Sequence, residues 1–203
     1  MESTIKYFTE NELNSIFRVL EHRRRTAATE LAYKNAVRDE ALFRVMFYCA
    51  LRVSEVILLN IEDYNILKKE MHCKRLKGGI NNTLKIIDNS VLQALNRHIR
   101  ENAPSSSLFM NIRDDKPLSR KTIDYIVKNV CMDAKVPSRA KWHSHTFRHT
   151  KAIELAESGL DIKEIQYWLG HKCIANTQLY FEFTSSQHTA MYKKLLRKKR
   201  LGT

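Results

Sequence analysis

Apolar residues recur at helical spacing along most of this chain. Near the start, Thr9 and Glu12 form a capping-box pattern that precedes an apolar stripe through Leu13, Ile16 and Leu20. This combination predicts a helix that begins just after Thr9. The same reasoning predicts further helices at about residues 29–50, from Ser54, at 91–99, after Ser119, from about His145 to Gly159, from Asp161 to Gly170, and in the basic segment around Met191, Leu195 and Leu196. Within the helix at 29–50, the residues predicted to face inward are Ala32, Ala36, Val45, Met46 and Cys49.

The period of the pattern changes between residues 64 and 88. Two short runs, residues 71–76 and 83–87, flank the sequence Lys-Gly-Gly-Ile-Asn-Asn at 77–82. Glycine and asparagine tolerate the positive φ angles of a tight reversal, so these runs predict a β-hairpin. No repeat or low-complexity linker divides the chain. We therefore predict an α+β fold, a mostly helical single domain over residues 1–203 with a small antiparallel hairpin.

The chain is strongly basic, with a formal net charge of +13. An excess of this size favours a polyanionic partner, because binding to a nucleic acid releases its condensed counterions. The alternative is a cationic surface that serves only to keep the protein in solution. Charge alone does not decide between the two.

Targeting signals and paired cysteines are missing from the sequence. No apolar run approaches the ~18–20 residues of a membrane span, and residues 1–4 lack the basic start of a secretory signal. We therefore expect a cytoplasmic protein that does not bind membranes. The cysteines have no close paired spacing, so we expect neither a disulfide framework nor a structural metal site. No cofactor is predicted. The cysteines are Cys49, Cys73, Cys131 and Cys173.

Polar residues are densest at 143–149, His-Ser-His-Thr-Phe-Arg-His. On a helix His145 and Arg148 lie about one turn apart on the same face, which suits a phosphate: arginine donates two hydrogen bonds and imidazole moves a proton. The alternative is zinc, since His145 and His149 have metal-ligand spacing. Thr146 stands where a metalloprotease helix has glutamate, however, and the cation at Arg148 would repel a metal ion.

Other motifs stand in a fixed order around this cluster. They are residues 51–55 with Arg52, residues 75–79 with Lys77, the cluster at 145–149, residues 169–171 with His171, and Tyr180. In this order and at these intervals they resemble the catalytic boxes of the tyrosine recombinase (phage integrase) family. The layout is most similar to short members such as the fimbrial phase-variation invertases, through residues 75–78 and 117–120. Most of the family has a separate N-terminal core-binding domain, and we expect none in this protein.

The resemblance implies a covalent mechanism of DNA cleavage. Tyr180 would attack a phosphodiester to give a 3′-phosphotyrosine and a free 5′-hydroxyl. The 5′-hydroxyl of another strand can then attack the phosphotyrosine and reverse this step. Glu55 would orient Arg52 or cap its helix. Tyr64, Tyr125, Tyr167 and Tyr192 lack a comparable setting, and packing is the preferred interpretation for them. The implied catalytic residues are Arg52 and Arg148 on the non-bridging oxygens, Lys77 as general acid, His145 assisting proton transfer at the tyrosine, His171 on the phosphate, and Tyr180.

The implied partner is double-stranded DNA with specific recombination sites, bound by a homo-tetramer. In relatives the tail after the tyrosine docks on the next protomer, and Met191, Leu195 and Leu196 suit that role. Inversion, integration and excision all stay open as outcomes. Two other functions also remain open: a DNA-binding regulator whose site is silent, and a nicking-closing topoisomerase of type IB.

Overall fold

The computed structural model describes residues 5–181, so the predicted basic helix around Met191 lies outside the described residues. Within that range the chain is mostly helical, with a small antiparallel sheet in the order β1-β2-β3, which confirms the predicted α+β class. No described helix is long and apolar enough to cross a membrane. The elements are α1 (Glu10–Arg25), α2 (Glu30–Tyr48), α3 (Val53–Ile57), β1 (Tyr64–Asn65), β2 (Glu70–Cys73), β3 (Asn82–Lys85), α4 (Asn89–Asn102), α5 (Arg120–Asp133), α6 (Ser144–Glu157), α7 (Ile162–Leu169) and α8 (Ala175–Gln178), with 3-10 turns at Ile61–Asp63 and Arg139–Lys141.

The predicted helix caps are present. The backbone N–H of Thr9 donates to the Glu12 carboxylate at 2.7 Å, and the Thr9 hydroxyl accepts from the Glu12 N–H at 3.3 Å. Asp161 and Glu164 form the same reciprocal pair at the start of α7. Gly170 ends α7 with a φ of 65°, the left-handed conformation that glycine adopts without steric cost. Local hydrogen bonding thus sets these boundaries.

The hairpin is confirmed, but its strands are shorter and its loop is longer than the pattern predicted. Strand β2 ends at Cys73 and β3 begins at Asn82, and a third strand, β1, pairs with β2 through Tyr64 and Met71. The strands end early because the connecting loop packs against the end of α7. There the N–H of Ile80 donates to the Gly170 carbonyl at 3.0 Å.

One hydrophobic core joins α1, α2, α4, α5 and the sheet, and Phe43 and Phe147 are fully buried within it. The prediction that Ala32 faces this core was wrong, because the first turns of α2 extend beyond the core and Ala32 is exposed there. Val45 and Met46, further along α2, are buried as predicted. A smaller cluster between α6 and α7 includes Tyr180.

Candidate active site

Arg148, in the first turns of α6, is almost fully buried, with 2% of its surface exposed. Its Nη1 donates to the carbonyl of Ala50 after α2, and its Nη2 donates to the carbonyl of Leu169 at 2.8 Å. Burial and the neighbouring Arg52 lower the pKa of Arg148 to about 9, so it is still a cation at neutral pH. The side chain therefore ties together three chain segments and fixes one positive charge among them.

Glu55 anchors that charge from α3. It is fully buried, lies 3.9 Å from Nη1 of Arg148, and accepts from Nη1 of Arg52 at 2.7 Å. Its carboxylate also accepts the N–H of Arg52 and the N–H of Leu76. Burial opposes ionisation, but these donors outweigh it, and the pKa of Glu55 is lowered. Glu55 thus both orients Arg52 and caps its helix, the two options that the sequence suggested.

Tyr180 lies beside this pair of arginines with only 4% of its surface exposed. Burial raises the pKa of its hydroxyl, while the charges of Arg148 and Arg52 act in the opposite direction. The hydroxyl is 2.9 Å from Nδ1 of His149. Burial and the nearby His145 lower the pKa of His149 to about 4, so the ring is neutral at pH 7 and can accept a hydrogen bond from the tyrosine hydroxyl.

This contact differs from the sequence-based expectation. The resemblance implies that His145 assists at the tyrosine oxygen, but within residues 5–181 the side chain hydrogen-bonded to that hydroxyl is His149, the last residue of the same motif. The rings of His145 and His149 stack with their centroids 6.1 Å apart. His145 is exposed, and its pKa is lowered by partial burial and by the charges of Arg148, Arg52 and Lys77. It therefore lies on the open side of the cluster.

His171 follows the turn at Gly170 and is buried beside α8. Burial, with the charges of Arg148 and Arg52, lowers its pKa to about 3. Its Nδ1 is 2.9 Å from the hydroxyl of Thr177. If the Thr177 hydroxyl donates to Nδ1, the neutral ring carries its hydrogen on Nε2, where it is free to donate. No pattern in the sequence indicates this contact with Thr177.

Lys77 lies at the rim of this cluster, on the hairpin loop. Its φ is 56°, and the loop closes through a hydrogen bond from Gly79 N to the carbonyl of Leu76 at 3.2 Å. The side chain is exposed and makes no hydrogen bond or ion pair with any described residue, yet its charge reaches His145. The structure thus places a free ammonium beside the cationic cluster.

The chemistry of this cluster suits an anion. Residues 5–181 contain no group of three or more His, Cys, Asp or Glu side chains arranged to hold a metal ion. Arg52 and Arg148 lie close enough to Tyr180 to affect its ionisation. Arginines, neutral imidazoles and a phenol grouped in this way match the needs of phosphate chemistry.

Comparison with known proteins identifies the class. The sequence model of the phage integrase family matches residues 6–187. The tyrosine recombinase XerD of Staphylococcus saprophyticus is 30% identical over 190 residues, which cover 90% of this chain and 61% of that protein. XerD of Staphylococcus epidermidis is 31% identical over 171 residues, covering 80% and 56%. The chain belongs to the tyrosine recombinase (phage integrase) family.

Solved structures share the fold. XerA recombinase superposes with a TM-score of 0.75 at 22% identity, covering 96% of this chain and 65% of its own. XerH recombinase bound to its difH substrate gives a TM-score of 0.74 at 18% identity, covering 95% and 55%. The chain spans between about half and two thirds of the length of these relatives.

Proposed function

We propose that this protein is a site-specific DNA recombinase that cleaves and rejoins strands through a 3′-phosphotyrosine at Tyr180. The observation that carries this proposal is the setting of the Tyr180 hydroxyl. It lies 2.9 Å from a neutral His149 and within the field of two arginines that a buried glutamate holds in place. A proton acceptor, a phenol and a fixed pair of cations are the parts that attack on a phosphodiester requires.

In the proposed first step, the Tyr180 oxygen forms a bond to phosphorus and the bond from phosphorus to the 5′-oxygen breaks. The raised pKa of Tyr180 keeps the hydroxyl protonated at rest, so the proton leaves as attack begins. Among residues 5–181, His149 is hydrogen-bonded to this hydroxyl, and we assign it as the acceptor of the proton. Because the phosphotyrosine retains the ester bond, a 5′-hydroxyl from another strand reverses the step without ATP.

The remaining residues would manage charge and the leaving group. Arg52 and Arg148 would hold the non-bridging oxygens, where charge increases in the transition state. His145, exposed beside them, and His171 would donate hydrogen bonds to the same phosphate. Lys77, which has no partner among residues 5–181, would deliver the proton to the departing 5′-oxygen.

Covalent capture on DNA of random sequence tests the proposal and defines the DNA site at the same time. Purified protein is incubated with nicked duplexes of random sequence, then denatured, and DNA that stays attached is sequenced. We expect attached DNA that converges on one motif. Binding in a shift assay without attachment would instead indicate a regulator with a silent site. Relaxation of supercoiled DNA without strand exchange would indicate a topoisomerase of type IB.

Cleavage is expected to persist in excess EDTA, because Arg52, Arg148 and Lys77 supply the positive charge that metal ions supply in many nucleases. Arg148→Lys should nevertheless cleave about 10²–10³-fold more slowly, since an ammonium cannot reproduce the two-oxygen fork. Single-turnover cleavage of the captured duplex measures both effects. The matched control is Arg38→Lys. Arg38 is a buried arginine of α2, away from the site, and it forms an ion pair with Asp39. Activity that is lost on chelation and restored by zinc or magnesium would contradict the prediction.

We also propose that protomers assemble on DNA as a tetramer, acting on the nucleoid in the cytoplasm. A surface cavity of about 500 Å³ between the start of α1 and α6 has both acidic and apolar lining residues, among them Glu10, Glu154, Glu157, Leu13 and Ile153. These residues complement the basic and apolar segment after Tyr180. That segment includes Met191, Lys193, Lys194, Leu195, Leu196, Arg197, Lys198 and Arg200.

Deleting residues 193–203 distinguishes docking on a protomer from contact with DNA. Each phosphate contact contributes a slope of about −0.9 to the log–log dependence of binding on salt. If the segment docks on the next protomer, we expect the deletion to leave this slope unchanged in filter binding while higher-order complexes disappear from native gels. A flatter slope with intact assembly would contradict docking. Glu157→Lys, in the cavity, should reproduce the assembly defect.

A further inference from the structure

Arg75, between β2 and the hairpin loop, is a fully buried arginine whose side chain contacts several segments of the site. Its Nη1 donates to Glu55 at 3.3 Å, and its Nη2 donates to the carbonyl of Cys49 at 3.1 Å and to the carbonyl of Trp168 at 2.7 Å. Its Nε donates to Asn82 at 3.0 Å. One guanidinium thus joins the end of α2, the start of α3, the end of α7 and both arms of the hairpin.

The loop that carries Lys77 is closed around this residue. The backbone N–H of Arg75 donates to the Asn81 side chain at 2.8 Å, which joins the two ends of the loop. The Asn82 amide donates to the carbonyl of Trp168 at 3.2 Å, and so fastens the loop to α7. A Cβ added at Gly79 would lie 2.8 Å from the Cβ of Arg75 and 2.9 Å from the Gly170 carbonyl, so the loop is in close contact with both.

Fold stability alone gives little reason for such a residue. Removing a guanidinium from water is costly, and apolar side chains of similar volume often stabilise a buried position as well or better. The neighbours of Arg75 are instead the parts of the site: Glu55, which orients Arg52 and faces Arg148, and the turn that leads to His171. Lys77, two residues further along the chain, makes no described contact that would position it directly.

We propose that Arg75 is a positioning residue for protonation of the leaving group. It holds the base of the hairpin loop against α7 and Glu55, so that the Lys77 ammonium stays beside the phosphate site. Lysine at this position would keep the charge but reach only part of this set of acceptors, because its ammonium lacks the planar fork. This inference rests on the proposed function, in which Lys77 is the general acid.

The test compares two leaving groups on one duplex, the sequence recovered by covalent capture with the wild-type protein. One version has the ordinary 5′-oxygen at the cleaved phosphate and the other has sulfur there, which leaves without needing a proton. On oxygen, we expect Arg75→Lys to lower the single-turnover cleavage rate by about 10–100-fold, a part of the full general-acid effect. On sulfur, we expect its rate to come within about threefold of the wild-type rate.

Asn82→Ala weakens the same link without removing the buried charge, and we expect a smaller defect of about 3–10-fold, again on oxygen only. If thermal unfolding shows that Arg75→Lys does not fold, the comparison of the two substrates with Asn82→Ala tests the proposal instead. Arg38→Lys, a buried arginine outside the site, should cleave both substrates at wild-type rates. An equal defect on both substrates, or no defect, in folded variants would overturn the role of Arg75. Failure of the proposed function is distinct, since the wild-type protein would then yield no adduct at all.

Discussion

Tyr180→Phe is expected to bind DNA with wild-type affinity and to form no covalent adduct. The phenyl ring keeps the packing of Tyr180 between α6 and α7 and removes only the nucleophilic oxygen. The variant also loses the hydrogen bond to His149, which we expect to lower the free energy of unfolding by about 1 kcal/mol. A gel-shift assay measures binding, and denaturing gels of labelled nicked duplex measure the adduct.

Tyr64→Phe is the matched control. This tyrosine is also buried, and its hydroxyl donates to the side-chain oxygen of Asn96 at 3.1 Å, so the substitution removes a comparable hydrogen bond outside the proposed nucleophilic centre. It should form adduct at the wild-type level. An adduct of wild-type yield from Tyr180→Phe would show that another residue is the nucleophile.

Lys77→Ala is expected to cleave ordinary DNA about 10²–10⁴-fold more slowly than the wild-type protein, the usual contribution of a general acid. Lys77 has a φ of 56°, a conformation that a Cβ disfavours. Because lysine and alanine both carry a Cβ, the substitution should not add strain to the turn. With sulfur in place of the 5′-oxygen, most of the rate should return. A thiol has a pKa near ~8.5, and its anion leaves with little need for a proton.

Arg148→Ala provides the contrast for this experiment. It should remain defective on the sulfur substrate, because charge on the non-bridging oxygens still requires compensation when the leaving group changes. Thermal unfolding must accompany the measurement, since Arg148 is buried and hydrogen-bonded to two carbonyls. If Lys77→Ala proves equally slow on both substrates, Lys77 binds phosphate or shapes the loop, and another group is the acid.

The helix boundaries were predictable because they depend on residues close in sequence. Thr9 with Glu12, and Asp161 with Glu164, satisfy backbone N–H groups within one turn, so the signal and the structure involve the same few residues. The exposure of Ala32 was not predictable in this way. Helical spacing indicates which residues share a face, but not how far along a helix the neighbouring core extends.

The candidate site was predictable only in part. The order of the motifs predicted that Arg52, Arg148 and Tyr180 belong to one site. In the structure the two arginines lie close enough to Tyr180 to affect its ionisation. The contact between His149 and Tyr180 depends on how the segment after α7 folds back onto α6, which no local pattern records. The sequence also did not predict that Arg75 contacts several segments of the site. Partners such as the Trp168 carbonyl lie far from it in the sequence.

Mapping the covalent bond tests the central claim most directly. Wild-type protein is trapped on the captured nicked duplex, digested with nuclease and protease, and the nucleotide-bearing peptide is sequenced by mass spectrometry. We expect the added mass on Tyr180, joined through a 3′-phosphate, with a free 5′-hydroxyl on the released strand. The nucleotide on any other residue, or a 5′-phosphate linkage, would contradict strand transfer through Tyr180.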